Sequence, residues 1–287
     1  MQEVWLADES ALLKRVAERL AGVRPDFLEQ MHLIEPERLP GRRWLSSGIL
    51  VPLEYDRAQR EPLVILNKRS ASVLQPGDLC FPGGGLDRKN DRFLGSLLAS
   101  RFLPFGASRF LKPVPPGPER DALLTVLATA LRESWEEMRL PPWRVEILGA
   151  LSAHRMQSFP RIIFPLVGRI RGAWKARPNR EVEKVLHVPI RALLAPENYG
   201  TCSMRVEGSM PAGVEIPDWE VPCLIIPDQG KDEILWGATF KILLTFLETA
   251  LDFPVSEIRP ARKVTRVLPA HYFTGIERQK DAGQAKL

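Results

Sequence analysis

The chain has 287 residues, of which 45% are apolar and 26% charged, and it carries a formal net charge of +5 with a pI near 9.2. This length and composition predict a sizeable core, formed by one large domain or by one domain with appendages. No Lys/Arg block indicates nucleic-acid binding, and no apolar run approaches the roughly 20 residues of a membrane span. The three cysteines lack metal-ligand spacing and cannot all pair, which favours a reducing compartment, the cytoplasm by default.

The first predicted element is an amphipathic helix over residues 9–20. Its apolar side chains recur at helical spacing and form one stripe, which is typical of a face that docks on the body of a protein. Three prolines at 25, 36 and 40 then mark an irregular link. We expect residues 1–46 to form a helical N-terminal appendage.

Two strands are predicted next, over residues 47–53 and 63–68, and the polar turn between them favours a β-hairpin. The second strand ends in Lys68 and Arg69, which could meet phosphates by charge and, for arginine, through a planar bidentate fork. The alternative interpretation is an exposed basic strand end. A Phe-Pro-Gly-Gly-Gly run follows, in which Gly83 and Gly84 let the backbone turn tightly and approach a ligand closely.

A long helix is predicted from about residue 119, and it carries a cluster of carboxylates. Glu133, Glu136 and Glu137 stand at i, i+3 and i+4, so they share one face. Like charges repel there, and a divalent cation that prefers oxygen ligands, such as Mg²⁺ or Mn²⁺, would remove the conflict. Arg132 is placed to pair with these carboxylates and orient them. The alternative interpretation is a solvated charged face with an ordinary Arg-Glu pair.

The glycine run and the carboxylate helix together resemble the Nudix box, whose pattern is Gly-x5-Glu-x7-Arg-Glu-U-x-Glu-Glu-x-Gly-U, with U apolar. In that family a loop-helix-loop carries glutamates that bind Mg²⁺ and split the diphosphate of a nucleoside diphosphate linked to another group. A Leu-x-Lys-Arg-Ser segment at 66–70, before Gly-x-x-x-Phe-Pro-Gly-Gly at 77–84, resembles the coenzyme A pyrophosphatase branch. The resemblance covers roughly residues 47–251.

The chain departs from the pattern around the first acidic position of the box. An arginine usual between the Lys-Arg-Ser segment and the glycine is missing, and the expected acid is Asn90, with Asp91 beside it and Asp87 before it. Asp121 is another candidate for that acid, although an N-cap role is the favoured interpretation. An insert at about 92–118 separates these residues from Arg132, and either a lid or a surface embellishment would fit it.

The end of the box helix departs as well. Arg139 stands where the box has a glycine, which normally supplies a left-handed turn. We expect the residues at 140–142, Leu-Pro-Pro, to stop the helix by a different route, because proline cannot continue a helix.

Strands are predicted again at 145–149 and 162–168. Residues 177–194 then resemble the Asn-x-Glu-Val segment, Val-Pro strand end and short helix of the same branch. Glu181 or Glu183 is a candidate metal ligand or base there, with a structural role favoured. After a loop-rich stretch, a Trp-Gly-x-Thr segment is expected to open an apolar helix from 234 to about 251.

The tail, residues 252–287, lies outside the resemblance. Its last three residues, Ala285, Lys286 and Leu287, resemble a peroxisomal address, which we interpret as chance, so that a cytoplasmic location remains the expectation. The residues therefore predict three parts: the appendage 1–46, a domain 47–251 with its insert, and this tail.

The resemblance implies an α/β fold in which a mixed, curved sheet is sandwiched between helices. It also implies a metal-dependent hydrolase, with Glu133 and Glu137 as main ligands of Mg²⁺ or Mn²⁺ and Glu136 as a further ligand or the base. Arg132 would orient these carboxylates.

Gly83 and Gly84 would admit the substrate, and Lys68 and Arg69 would offset its phosphate charge. A coenzyme A substrate would give 3′,5′-ADP and 4′-phosphopantetheine. ADP-ribose or a dinucleotide is an alternative substrate, and a non-catalytic Nudix fold that binds nucleotide or protein is an alternative function. No nucleic-acid or membrane partner is expected.

Overall fold

A mixed central sheet and a smaller second sheet organise the fold. The computed structural model describes residues 4–33, 44–99, 108–111, 113–156, 160–207, 219–260, 262–269 and 272. The helices in this part of the chain are α1 (Glu9–Ala21), α2 (Phe27–Leu33), α3 (Arg88–Ala99), α4 (Ser108–Leu111), α5 (Pro118–Met138), α6 (Ile190–Leu193) and α7 (Gly237–Leu251). The strands are β1 (Leu45–Asp56), β2 (Glu61–Arg69), β3 (Leu79–Cys80), β4 (Gly83–Gly85), β5 (Val145–Ala150), β6 (His154–Arg155), β7 (Arg161–Ile170), β8 (Val182–Pro189), β9 (Tyr199–Glu207), β10 (Trp219–Asp228), β11 (Lys231–Trp236) and β12 (Arg262–Pro269).

The central sheet is built around β1. Strands β1 and β2 form the predicted antiparallel hairpin, with Leu53 opposite Val64, while β7 runs parallel to β1 on its other side. The main path is β3-β2-β1-β7-β5, and β4, β6 and β8 pair with β1, β7 and β2 respectively. The predicted α/β class, with a mixed sheet sandwiched between helices, is confirmed.

Helices cover both faces of the central sheet because its strands are apolar on both sides. On one face, α1 and α7 pack with alternate residues of β1 such as Val51. On the other face, α5 packs over residues such as Leu50. Gly48 lies directly beneath α5, since a Cβ atom there would come within 2.9 Å of the Val126 carbonyl oxygen. This close approach fixes α5 against the sheet.

The region after β8 differs from its predicted loop. Strands β9 and β10 pair there, and β11 extends the sheet, so the second sheet has the order β11-β10-β9-β12. Because residues 231–236 form β11, the apolar helix begins at Gly237 rather than at 234. Within the tail, β12 pairs in parallel with β9. The last three residues and residues 100–107 of the insert lie outside the described ranges.

Arg139 ends α5 in the left-handed conformation that the box glycine normally supplies. Its φ is 59° and its ψ is 34°. The amide of Arg139 donates to the Trp135 carbonyl at 3.0 Å, and that of Leu140 donates to the Ser134 carbonyl at 3.2 Å. These two bonds form a Schellman cap. The expectation of a different route was therefore wrong: the turn is kept, and a non-glycine residue adopts it.

No helix in the described ranges is both long enough and apolar enough to cross a bilayer.

Candidate active site

The glycine strand β4 lies against the carboxylates of α5. A Cβ atom built on Gly84 would come within 2.4 Å of the Glu133 carboxylate, so only glycine leaves this carboxylate its position. Gly83 has a φ of 153° and donates its amide to Oε2 of Glu137 at 3.3 Å. The two predicted glycines therefore contact two of the three predicted carboxylates.

The Arg132 guanidinium orients the acidic cluster, as predicted from its spacing. Its NH1 donates to Oε1 of Glu133 at 2.7 Å and lies 3.5 Å from Oε2 of Glu136. Its Nε donates to Oδ1 of Asp91 at 2.9 Å. This hydrogen bond to Asp91 raises the pKa of Arg132 above its usual value, and the charges of Glu133 and Asp91 add to the effect. The cation is thus held in place by three carboxylates.

Of the candidate acids around the open position, Asp91 is the one that contacts Arg132. It is fully buried on α3, where it accepts hydrogen bonds from Thr129 Oγ1 at 2.7 Å and from the Asp87 amide at 2.8 Å. Asn90 is exposed and donates to Asp87, and Asp121 is exposed on the first turn of α5. Asp91 adjoins the position at which the sequence pattern places an acid. The insert lengthens the segment between this acid and Arg132, so the spacing to Arg132 could not identify Asp91.

Among the three glutamates of α5, Glu137 is the most deeply buried. Asn67, on β2, donates from Nδ2 to Oε2 of Glu137 at 2.8 Å. Burial, followed by the charge of Glu133, raises the pKa of Glu137 to about 8. Asn67 was not predicted as a site residue. Asn67 could have been found from the sequence, because residues two apart on a strand face the same side and Arg69 was already a candidate.

A cavity opens beside Glu137 at the end of β2. It is lined by seven residues, namely Asn67, Arg69, Val73, Cys80, Glu137, Glu181 and Val182. Arg69 thus lines this cavity beside Glu137, with its Nε donating to the Leu74 carbonyl at 2.7 Å. Burial, followed by the charge of Glu137, raises the pKa of Cys80 to about 12, which keeps this thiol protonated and unreactive.

Glu181 enters the cavity because its segment is tied to both neighbouring elements. The amide of Asn179 donates to the Glu137 carbonyl at 2.8 Å, at the end of α5. The Ser70 hydroxyl donates to the Arg180 carbonyl at 2.7 Å. Of the two acids left open by the sequence, Glu181 thus lines the cavity, whereas Glu183 pairs with a lysine on the other face of the sheet.

Lys68 does not reach this cavity, contrary to the prediction that it would accompany Arg69. Side chains alternate along a strand, so Lys68 faces the side opposite Asn67. Its Nζ lies 3.0 Å from Glu233 and 3.1 Å from Glu183, and only 12% of its side chain is exposed. Lys68 therefore belongs to an internal ion cluster that joins the two sheets.

The three predicted metal ligands do not all converge. Among the residues that the structure describes, no group of three or more His, Cys, Asp or Glu side chains is placed to hold a metal ion. Glu136 is drawn towards Arg132, one helical turn away, and 51% of its side chain is exposed.

A divalent cation nevertheless fits the remaining donor set. The carboxylates of Glu133 and Glu137 repel each other, as the raised pKa of Glu137 indicates. Oδ1 of Asn67 is buried and has no hydrogen-bond partner among the residues that the structure describes, although Asn67 lines the same cavity. Two hard carboxylate ligands and an unsatisfied amide oxygen are donors suited to Mg²⁺ or Mn²⁺.

The sequence of the chain is similar to those of known Nudix proteins. The chain is 29% identical over 232 residues to the peroxisomal coenzyme A diphosphatase NUDT7 of Mus musculus, covering 76% of this chain and 80% of that protein. It is 27% identical over 177 residues to the uncharacterized Nudix hydrolase NudL of Pectobacterium atrosepticum, covering 61% and 73% respectively. No protein-family model matches the chain.

Structural comparison also matches the chain to solved Nudix structures. A MutT/nudix family protein from Enterococcus faecalis has a TM-score of 0.41 at 14% identity, covering 83% of this chain and 73% of that one. The NUDIX domain of NrtR from Shewanella oneidensis, complexed with ADP ribose, has a TM-score of 0.34 at 15% identity, covering 58% and 84%.

These sequence relatives support a Nudix diphosphate hydrolase. Within that class it resembles the coenzyme A pyrophosphatase branch. Nudix hydrolases act on small nucleotide substrates and generally use divalent metal ions.

Proposed function

We propose that this chain hydrolyses coenzyme A or acyl-coenzyme A at the diphosphate, giving 3′,5′-ADP and 4′-phosphopantetheine. One water adds across the P–O–P linkage, so that its oxygen bonds to one phosphorus while the other phosphate leaves. The observation that carries the proposal is the pair of carboxylates, Glu133 and Glu137, held against the glycine strand. The relationship to a coenzyme A diphosphatase supports the choice of substrate.

Glu133 and Glu137 would hold the Mg²⁺ or Mn²⁺ ion, with Glu136 as a further ligand or as the base that orients water. When bound, the ion offsets the charge of the diphosphate and activates the attacking water. Arg132 keeps Glu133 oriented through its 2.7 Å hydrogen bond. Asn67 and the Gly83 amide hold the carboxylate of Glu137.

The substrate side of the site consists of Arg69, Gly83 and Gly84 in this proposal. Arg69 supplies a cation in the cavity, and its planar guanidinium suits a phosphate. Glycines at 83 and 84 let the substrate approach the carboxylates without steric conflict. Lys68 is left out, because its charge is already paired with carboxylates on the opposite face.

Turnover of a substrate panel by the purified full chain tests the proposal. Coenzyme A, an acyl-coenzyme A, ADP-ribose and NADH would each be incubated with Mg²⁺ or Mn²⁺. We expect coenzyme A substrates to be cleaved most efficiently and Glu137→Gln to abolish the cleavage. Glu183→Gln is the matched control, since Glu183 lies on the other face of the sheet. Preference for ADP-ribose or NADH would contradict the coenzyme A assignment while leaving the reaction type intact.

We propose a cytoplasmic location and no nucleic-acid or membrane partner for this enzyme. Imaging of the protein with an N-terminal fluorescent tag tests the location, because such a tag leaves residues 285–287 free. Accumulation in peroxisomes that is lost when these residues are deleted would replace the cytoplasmic assignment with a peroxisomal one.

A further inference from the structure

The turn between β2 and β3 fixes the backbone of Arg69 from both sides. The Arg69 amide donates to the Asp78 carbonyl at 2.9 Å, and the Gly77 amide donates to the Arg69 carbonyl at 2.9 Å. Gly77 takes a left-handed φ of 74° to make this turn. A shift of residues 77 and 78 would strain or break these two hydrogen bonds, which together with the pairing to β8 hold the backbone of Arg69.

The turn has no apolar anchor of its own. Residues 70–78 are all exposed or half-buried, in contrast to the buried Leu79 that follows. Burial of apolar side chains is the main force that holds a segment in place, and a loop without it moves readily. Some other contact must hold this turn. The start of the turn is held by the Ser70 and Ser72 hydroxyls, which donate to the Arg180 carbonyl at 2.7 and 3.0 Å.

The end of the turn, at residues 76–78, is held by the second sheet and the residues after it. Arg266, on β12, lies with its NH2 2.6 Å from Oδ1 of Asp78 and 3.3 Å from the Pro76 carbonyl oxygen. Trp236 donates from Nε1 to the same carboxylate at 3.2 Å, and the Tyr272 hydroxyl donates to its other oxygen. Arg266 and Asp78 are both largely buried, with 14% and 15% of their side chains exposed. A charge-assisted bond of this kind is much less screened than a surface pair.

We infer that Arg266 and Tyr272 are positioning residues for substrate binding, acting through Asp78 on Arg69. The inference rests on the proposed function in one respect, namely that Arg69 binds the substrate phosphate. It gives the C-terminal strand, which lies outside the resemblance to the family, a role in substrate affinity. The carboxylates of α5 are held by other contacts, so the chemical step is not expected to depend on β12.

A double-mutant cycle in the full chain tests this inference. Arg266→Gln and Tyr272→Phe are each expected to raise KM for coenzyme A, by about fivefold and about twofold, while kcat stays within twofold. Arg262→Gln is the matched control, because Arg262 lies on the same strand but pairs with the exposed Asp232 at 2.7 Å. Arg266→Lys should restore part of the affinity.

In an Arg69→Ala background, Arg266→Gln is expected to have no further effect on KM, since the residue through which it acts is gone. Equal effects of Arg266→Gln with and without Arg69, or a fall in kcat with an unchanged KM, would overturn the inference. If Arg69→Ala itself leaves KM unchanged, the phosphate-binding role in the proposed function fails, and the inference about affinity fails with it.

Hydrogen exchange gives a readout that does not depend on activity. The amides of Arg69 and Gly77 should exchange several-fold faster in Arg266→Gln, while those in the centre of β1 keep their wild-type rates. Unchanged exchange at residues 69 and 77 would refute the positioning role even in an active enzyme. Faster exchange there in a chain that cleaves no diphosphate would support the positioning of Arg69 and reject the proposed function.

Discussion

The two faces of β2 near its end carry acidic clusters of opposite kinds. On one face, Lys68 and Lys184 lie within 3.1 Å of the carboxylates of Glu183, Glu233 and Asp228, so the cations are supplied by the chain. This cluster joins β2 and β8 to the second sheet.

On the other face, within the described part of the chain, Glu137 has only Asn67 and the Gly83 amide as hydrogen-bond donors, and the charge of Glu133 is close by. Charges removed from water are costly unless they are paired. The first cluster is therefore structural, whereas the second is arranged for a cation from outside the chain. The two clusters differ in whether lysines of the chain neutralise the carboxylates. Substitutions in the first cluster should therefore lower stability, and substitutions in the second should lower activity.

The largest effect is expected from a methyl group added between the glycine strand and the carboxylates. In Gly84→Ala the new Cβ displaces the flexible end of Glu133, so activity should fall by about 100-fold. The free energy of unfolding should hardly change. Gly85→Ala is the matched control, because a Cβ there meets nothing within 4 Å. Equal losses in kcat for both variants would show that the glycine contact with Glu133 is not what matters.

Loss of the amide that holds Glu137 should follow in size. Asn67→Ala removes the 2.8 Å hydrogen bond and is expected to lower metal affinity or kcat by about 10- to 100-fold. Metal titration of the protein and turnover at saturating metal would separate these two effects. Wild-type values for both would mean that Gly83 alone suffices to hold Glu137.

Substitution of Lys68, the neighbour of Asn67, should lower stability rather than activity. Lys68→Met leaves the buried Glu233 with Lys184 as its remaining cation, so we expect a loss of about 2 kcal/mol in the free energy of unfolding. Activity of the folded fraction should stay near that of the wild type. Denaturant unfolding gives the first quantity, and a rise in KM without a loss of stability would return Lys68 to the substrate site.

The smallest effect concerns pH. The pKa of Glu137 is raised from 4.5 to about 8, so the folded state binds more protons than the unfolded state between these values. Stability of the metal-free protein should therefore decrease as pH rises through this window, by a few degrees in Tm. Glu137→Gln should flatten the dependence, and Mg²⁺ should stabilise the wild type more at pH 9 than at pH 6. A wild-type slope in the Gln variant would assign the dependence to other groups.

The sequence predicted the elements whose signal is local. Spacing along one helix was enough to bring Glu133 and Glu137 together, and the glycine run was enough to predict a close backbone approach. The β1–β2 hairpin followed from two apolar runs and a polar turn.

Contacts between distant segments could not be predicted in the same way. Asp91 reaches Arg132 only because α3 packs on α5, and no spacing encodes that packing. The sequence could have predicted that Lys68 and Arg69 face opposite sides of the sheet, since neighbouring side chains on a strand alternate. Strand β12 was not predicted, although polar and apolar residues alternate along part of it, and most of its residues are exposed or half-buried.

The Arg266 and Tyr272 contacts also set an order of events during folding. They join residues separated by 190 and 194 positions, whereas the Glu137–Gly83 bond joins residues 54 apart. Loops that long are slower to close. A refolding chain should therefore form its acidic cluster before the contacts of β12 hold the turn beside Arg69, and affinity for metal should return before affinity for substrate.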